Sequence, residues 1–271
     1  MTSKYRIYLL FLPCLTISAA FFLLPMAYLL SLGAQGEKGM MAYVTILAEP
    51  RHFESLVYTL VLSIAVTAVT LAIATIAALF LDRHRFFGRQ LLIALLTLPL
   101  AFPGVVIGFM IIMIAGRQGL VAQVSELVVG ERYTFAYSIG GLFLGYLYFS
   151  LPRTILTLMA AAEKLDPHLA EAASSLGASQ SRLLFDVILP ALKPAMIASG
   201  ALCFATSMGA FGTAFTLATR VSVLPMVIYT EFTLQANVVS AAALSLILGI
   251  ITWAALAVAR SIAGSTVAAA G

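Results

Sequence analysis

The sequence predicts an all-α, polytopic membrane protein with six transmembrane helices and a polar helical element between spans four and five. Three observations point there. Of the 271 residues, 62% are hydrophobic and 10% are charged, whereas soluble domains are about 45–50% apolar and about 25% charged. The apolar residues fall in six runs, each near the roughly 20 residues that a spanning helix needs. Between the fourth and fifth runs lies EAASSLGASQSRLLFDVILP, Glu171 to Pro190, which carries charge, hydroxyls and glycine.

The six predicted spans are about Tyr8–Leu32, Ser55–Leu81, Leu91–Ala115, Phe135–Ala160, Ala195–Leu217 and Val238–Ala259. The first follows Lys4 and Arg6, as a signal peptide would. Its apolar stretch exceeds the 7–15 residues of a signal-peptide core, and it reads as an uncleaved helix. Pro13, Pro25, Pro99, Pro103 and Pro152 fall inside spans. Each removes a backbone hydrogen bond, which fits helices bent around a pathway as well as ordinary membrane packing. No internal repeat is evident, so an inverted-repeat secondary transporter gains no support.

Orientation follows from the basic residues. Lys4, Arg6, Arg83, Arg85, Arg89, Lys164, Arg182, Lys193 and Arg260 fall on one side, and Lys38, Arg51, Arg117, Arg132 and Arg220 on the other. The positive-inside rule places the first group, both termini and the Glu171–Pro190 stretch in the cytoplasm. The same clustering beside spans explains the net charge of +4 without a nucleic-acid partner. On the external side, Leu120, Val121, Val124, Leu127 and Val128 have helical spacing and predict a short surface helix within Arg117–Thr134.

Cys14 and Cys203 lie far apart in apolar runs and form no disulfide or metal pattern. His52, His84 and His168 lie outside the spans without ligand spacing, so no metal site is assigned. No phosphate-binding G-x-x-x-x-G-K-[ST] loop occurs, so the chain holds no nucleotide of its own.

In the polar stretch, Asp166 can cap a helix whose first residue is Pro167. Gly177 offers a left-handed position that ends it. Ser179 can cap a second helix, which Pro190 and Pro194 are expected to turn back into the membrane. A loop of about 30 residues is long for a connection, and long connections tend to be functional.

Glu171-Ala172-Ala173, three residues, Gly177, nine residues, Val187, one residue, then Leu189-Pro190 resembles the signature loop of inner-membrane permease subunits of binding-protein-dependent ATP-binding-cassette (type I) importers. Val187 stands where that family usually has isoleucine. The resemblance implies one permease domain over residues 1–271, with its core at about 55–260 and a coupling loop at about 161–193. It implies that Glu171, Ala172, Ala173, Gly177, Leu189 and Pro190 couple to an ATPase dimer that binds ATP and Mg. It also implies a second, related permease subunit, an extracytoplasmic substrate-binding protein, a bacterial inner-membrane location and no enzymatic activity.

Two segments, Leu142–Ser150 and Met208–Thr219, mix aromatics, glycine and hydroxyls. Tyr146, Tyr148, Phe211, Thr213, Phe215 and Thr216 are candidates for a substrate pathway, although helix packing explains each singly. Glu231 is expected near an external mouth. Arg153, beside Pro152, is an intramembrane charge of functional or snorkelling character. The C-terminal half, with VLPMVIYTE at Val223–Glu231, resembles the polyamine, ferric-iron and phosphonate branch. The expected cargo is a polyamine such as spermidine or putrescine, with ferric iron or a phosphonate as the alternative. An ion-gradient-driven transporter would need buried acids or broken repeats that are not evident here.

Overall fold

The computed structural model describes residues 11–35, 39–217 and 222–263. Lys4, Arg6, Lys38 and Arg220 and the start of the first predicted span lie outside the described residues. All regular structure among the described residues is helical. Six stretches are long and apolar enough to cross a bilayer: Phe11–Gly33, Pro50–Arg83, Gly104–Val129, Ile139–Ala162, Gln180–Met208 and Val238–Ala263. The helices are α1 (Phe11–Gly33), α2 (Ala42–Leu47), α3 (Pro50–Arg83), α4 (Arg89–Thr97), α5 (Gly104–Ala115) and α6 (Leu120–Val129). They continue as α7 (Ile139–Ala162), α8 (Pro167–Ser175), α9 (Gln180–Met208), α10 (Phe211–Leu217), α11 (Leu224–Thr233) and α12 (Val238–Ala263).

The chain forms two compact units. One is built from residues up to Leu56 with Val227–Ile250, the other from Val57–Met226 with the residues from Ile251 on. In the smaller unit, Tyr43 of α2 crosses over Gly33 at the end of α1, where an added Cβ would overlap the tyrosine ring and hydroxyl. Its hydroxyl donates to Leu30 O at 2.7 Å. Arg51, His52 and Glu231 also meet within this unit.

In the larger unit, Ala74, Ala78 and Leu81 of α3 pack on Ile155 and Leu158 of α7. The small side chains on α3 permit that approach. Gly88 turns the chain with φ +84, and Arg89 donates from Nε to Leu81 O at 2.7 Å. The end of α3 thereby gains a donor for a carbonyl without an intrahelical partner. A second core joins Leu62 and Val66 of α3, Leu142 and Tyr146 of α7, Cys203 of α9 and Leu217 of α10.

Two predicted spans are broken rather than bent. The span expected over about Leu91–Ala115 stops at Thr97, passes through a 3₁₀ turn at Leu98–Ala101 and is extended at Phe102 and Pro103 before α5 begins. The residue before a proline is pushed out of the helical region, and Phe102 has φ −94 and ψ 133. The span expected over Ala195–Leu217 ends at Met208; Gly209 and Ala210 intervene before α10. The helix that completes the third stretch, α6, is the one expected at the external surface.

Pro190 corrects a second expectation. Instead of ending a short helix, it lies inside a helical run that continues from Gln180 to Met208. The turn before it, Leu183–Ile188, is π-helical, and Leu189 N–H donates to Leu184 O, five residues back. The same device precedes Pro25, where Leu24 N–H donates to Ala19 O after the π turn Ala19–Leu23. A proline ring clashes with the carbonyl four residues back in an α-helix. The widened turn relieves that clash, and the helix goes on.

The segments after the two breaks, α5 and α10, pack closely because glycines face threonines. A Cβ on Gly108 would overlap Thr216 Oγ1. A Cβ on Gly145 of α7 would lie 2.7 Å from Thr213 Cγ2. We expect Gly108→Ala to lower the thermal stability of the detergent-purified protein by about 1–3 kcal/mol, the usual cost of overpacking. Thr216→Ala should offset part of that loss, so the double variant is less damaged than the two singles summed. Strict additivity in thermal unfolding would argue against this contact.

Candidate functional site

Two features of the larger unit are candidates for a functional site. The first is the region around the two breaks. Backbone polar groups in a membrane must be satisfied within the protein, and irregular backbone persists there only where it is buried or lines a cavity. Tyr146 Oη donates to Ala210 O at 2.8 Å, and Thr213 Oγ1 donates to Gly104 O at 3.1 Å. Both hydroxyls thus tie a neighbouring helix to a break. Around them opens a cavity of 370 Å³, with Phe102, Phe149, Arg153, Thr206, Phe211 and Thr213 in its wall.

The second feature is the helix pair that follows α7. Asp166 caps α8 by accepting from His168 N–H at 2.9 Å. At the other end, Gly177 N–H donates to Ser174 O and Ala178 N–H to Ala173 O, both at 3.0 Å. That bond pair, with Gly177 at φ +81, is a Schellman turn, whose left-handed position suits glycine. Ser179 then caps the next helix by accepting from Arg182 N–H.

Ala170 and Ala173 turn inward and pack on the core of Ala162, Leu183, Ile188 and Leu192. Glu171, Ala172, Ser175 and Leu176 remain exposed, and Leu176 is 89% exposed. Glu171 Oε2 lies 3.2 Å from His168 Nδ1, with both side chains largely in solvent. At the base of α8, a cavity of 420 Å³ brings Asp82, Arg83 and Arg85 beside Glu163 and Asp166.

Of the residues nominated from sequence, Phe211 and Thr213 line the inner cavity. Tyr146 is 1% exposed and serves the break from within the core. Phe215 is exposed and its ring lies 5.4 Å from that of Phe211. Thr216 packs on Gly108 and donates to Thr213 O. Tyr148 is half-buried outside the cavity wall. Leu189 is half-buried and Pro190 exposed, both on the continuous helix α9. Leu169 on α8 and Leu176 just past its end are also exposed, although the sequence does not single them out.

Glu231 is enclosed in the smaller unit. It is 3% exposed and lies 3.8 Å from Arg51 Nη1 and 3.5 Å from His52 Nε2. Asn237 Nδ2 donates to it at 3.2 Å. With its amide nitrogen facing the carboxylate, Gln235 donates to Glu231 Oε1 at 3.2 Å and accepts from Arg51. His52 Nδ1 sits 3.0 Å from Ile46 O and 3.2 Å from Glu49 Oε2.

Residues 71–265 match the family described as binding-protein-dependent transport system inner membrane component. The chain belongs to this family. It is therefore a multi-pass inner-membrane permease subunit of a binding-protein-dependent ATP-binding-cassette importer, and not an enzyme. It is 30% identical over 245 residues to a putative 2-aminoethylphosphonate transport system permease of Salmonella typhi, covering 88% of this chain and 84% of that protein. It is 31% identical to the molybdenum transport system permease of Escherichia coli, over 68% of this chain and 81% of that one. A probable sulfate transport system permease of Chlorokybus atmophyticus is 30% identical, over 76% of this chain and 71% of that one. The fold matches a crystal structure of a bacterial alginate ABC transporter in complex with an alginate pentasaccharide-bound periplasmic protein. The TM-score is 0.80 at 17% identity, over 97% of this chain and 94% of that one.

The enclosure of Glu231 makes it a clasp in this permease. Removing one member of a buried pair strands the others, at about 3–5 kcal/mol when all are buried. Arg51 is half exposed, so Glu231→Ala should cost less, about 1–3 kcal/mol by thermal unfolding. Cargo preference in uptake competition should be unchanged. Altered preference at normal stability would place Glu231 on the pathway instead.

Proposed function

We propose that this permease is driven through α8 and its Gly177 turn, which a separate ATPase dimer grips, and that its cargo is a small oxyanion-bearing solute, an organophosphonate first. The observation that carries the coupling reading is the two-sided character of α8. Its inner face, Ala170 and Ala173, is fixed to α9. Its outer face offers Glu171, Ala172 and Leu176 to solvent. A helix of 9 residues is marginal alone in water, and an exposed leucine beside small residues suits a protein groove. In this reading ATP and Mg are held by the ATPase subunits, a second, related permease completes the pathway, and an extracytoplasmic protein delivers cargo.

The continuous helix α9 supports the coupling. It runs 29 residues from beside the docking element to the break at Gly209, about 43 Å of unbroken rod. A push on α8 therefore reaches the inner cavity through one stiff element. Orientation follows the basic residues: Arg83 and Arg85 share the cavity at the base of α8, which favours the cytoplasm for that end and for both termini.

The cargo reading rests on the relatives, named for 2-aminoethylphosphonate, molybdenum and sulfate transport. They support the phosphonate alternative over a polyamine. Binding of radiolabelled 2-aminoethylphosphonate, sulfate, molybdate and putrescine to the cognate binding protein separates the two. Capture of putrescine alone would reverse the assignment.

For coupling, Gly177→Val is the decisive variant. An added Cβ meets nothing within 4 Å in this chain, so the penalty is the positive φ alone. Forcing a β-branched residue there costs about 1–3 kcal/mol, or roughly 5- to 150-fold in ATPase association. Gly177→Asn, which tolerates that conformation, should retain association, and both variants should reach the membrane at normal levels. Normal co-purification of the ATPase with Gly177→Val would contradict the proposal.

A further inference from the structure

The cavity beside the two breaks opens at the surface of this chain, and the one charge in its wall is exposed. Arg153 is the only ionisable residue in its wall among the described residues. The described ion pairs involve Arg51, His52, Arg132 and His168, and none reaches Arg153. Arg153 lies within the span α7, one residue after Pro152. An arginine placed within a span costs about 2.5–3.5 kcal/mol on insertion scales and marks an ion or substrate route by default. A volume of 370 Å³ falls in the range of small-molecule sites, about 300–1,000 Å³.

The other side-chain polar groups in the wall carry no charge. Thr206 has committed its hydroxyl proton to Leu202 O and Cys203 O, and Thr213 has committed its own to Gly104 O. Each hydroxyl oxygen is left as a neutral acceptor, so neither neutralises the guanidinium as a carboxylate would, and Arg153 is the group in the wall that can attract an anion. Its planar fork is left to a ligand whose oxygens lie side by side, as in phosphonate, sulfate or carboxylate. Phe102, Phe149 and Phe211 supply apolar wall for an organic substituent. A polycation would meet the wrong sign of charge with no acid in the wall.

We propose that Arg153 forms an anion subsite within the permease, a transient station for the oxyanion head of the cargo between the two helix breaks. The proposal rests on the importer reading above and adds to it a specific residue in the pathway.

The test uses the assembled importer in proteoliposomes, with 2-aminoethylphosphonate and sulfate as labelled probes. Arg153→Gln should cut uptake about 10- to 100-fold, the worth of a charge-assisted contact pair. ATP hydrolysis stimulated by loaded binding protein should persist. Arg153→Lys, which keeps the charge and loses the fork, should fall between. In parallel, phenylglyoxal modification of Arg153 in the wild-type complex, followed by mass spectrometry, should slow at least about threefold with millimolar methylphosphonate and not with matched chloride or putrescine. That arm needs no variant to fold. Unchanged uptake by Arg153→Gln, or modification indifferent to methylphosphonate, overturns the subsite. Wild-type importer that accumulates putrescine and neither anion overturns the cargo reading instead.

Discussion

A membrane helix that stops must still satisfy its backbone, and that requirement organises this permease. At Phe102–Pro103 and at Gly209–Ala210 the chain leaves helical geometry. With no water in the hydrocarbon to repair a break, the partners must come from the protein. Tyr146 supplies one and Thr213 another. Both bonds demand close packing of α5, α7 and α10, which explains glycine at 108 and 145. The cavity exists because two broken elements cannot fill the space that two continuous helices would, and Arg153 stands in its wall.

The same constraint connects α8 with the second break. From α8, rigidity passes through Ala170 and Ala173 to the π turn of α9, and along α9 to the second break. A lever that ends at a break can move one wall of a cavity without unfolding a span. A proline-terminated α9 would have placed a hinge between α8 and the second break. The π turn instead accepts Pro190 and keeps the rod intact.

The spans were legible because a long apolar run requires nothing from its neighbours to be recognised. The polar helix pair was legible for the opposite reason: Asp166, Gly177 and Ser179 are local signals that act within a few residues. Pro190 was misread because the rule for proline assumes α-helical bonding, and nothing local announces a π turn. The roles of Tyr146, Thr216 and Glu231 were hidden in partners far along the chain: Ala210, Gly108 and Arg51 with His52. Chemical type nominated all three for a pathway, and only contact geometry shows what each one holds. The cargo was least legible, since aromatics and hydroxyls serve packing and binding alike.

The helix breaks should create a water-accessible cavity inside the membrane. Cysteine substitution with a small, membrane-impermeant thiosulfonate tests it most directly, in the assembled importer with Cys14 and Cys203 replaced. Phe102→Cys and Thr206→Cys, in the cavity wall, should be modified. Ala214→Cys, fully buried one turn into α10, should be protected. Protection at 102 and 206, or modification at 214 as fast as at those two, would contradict the account.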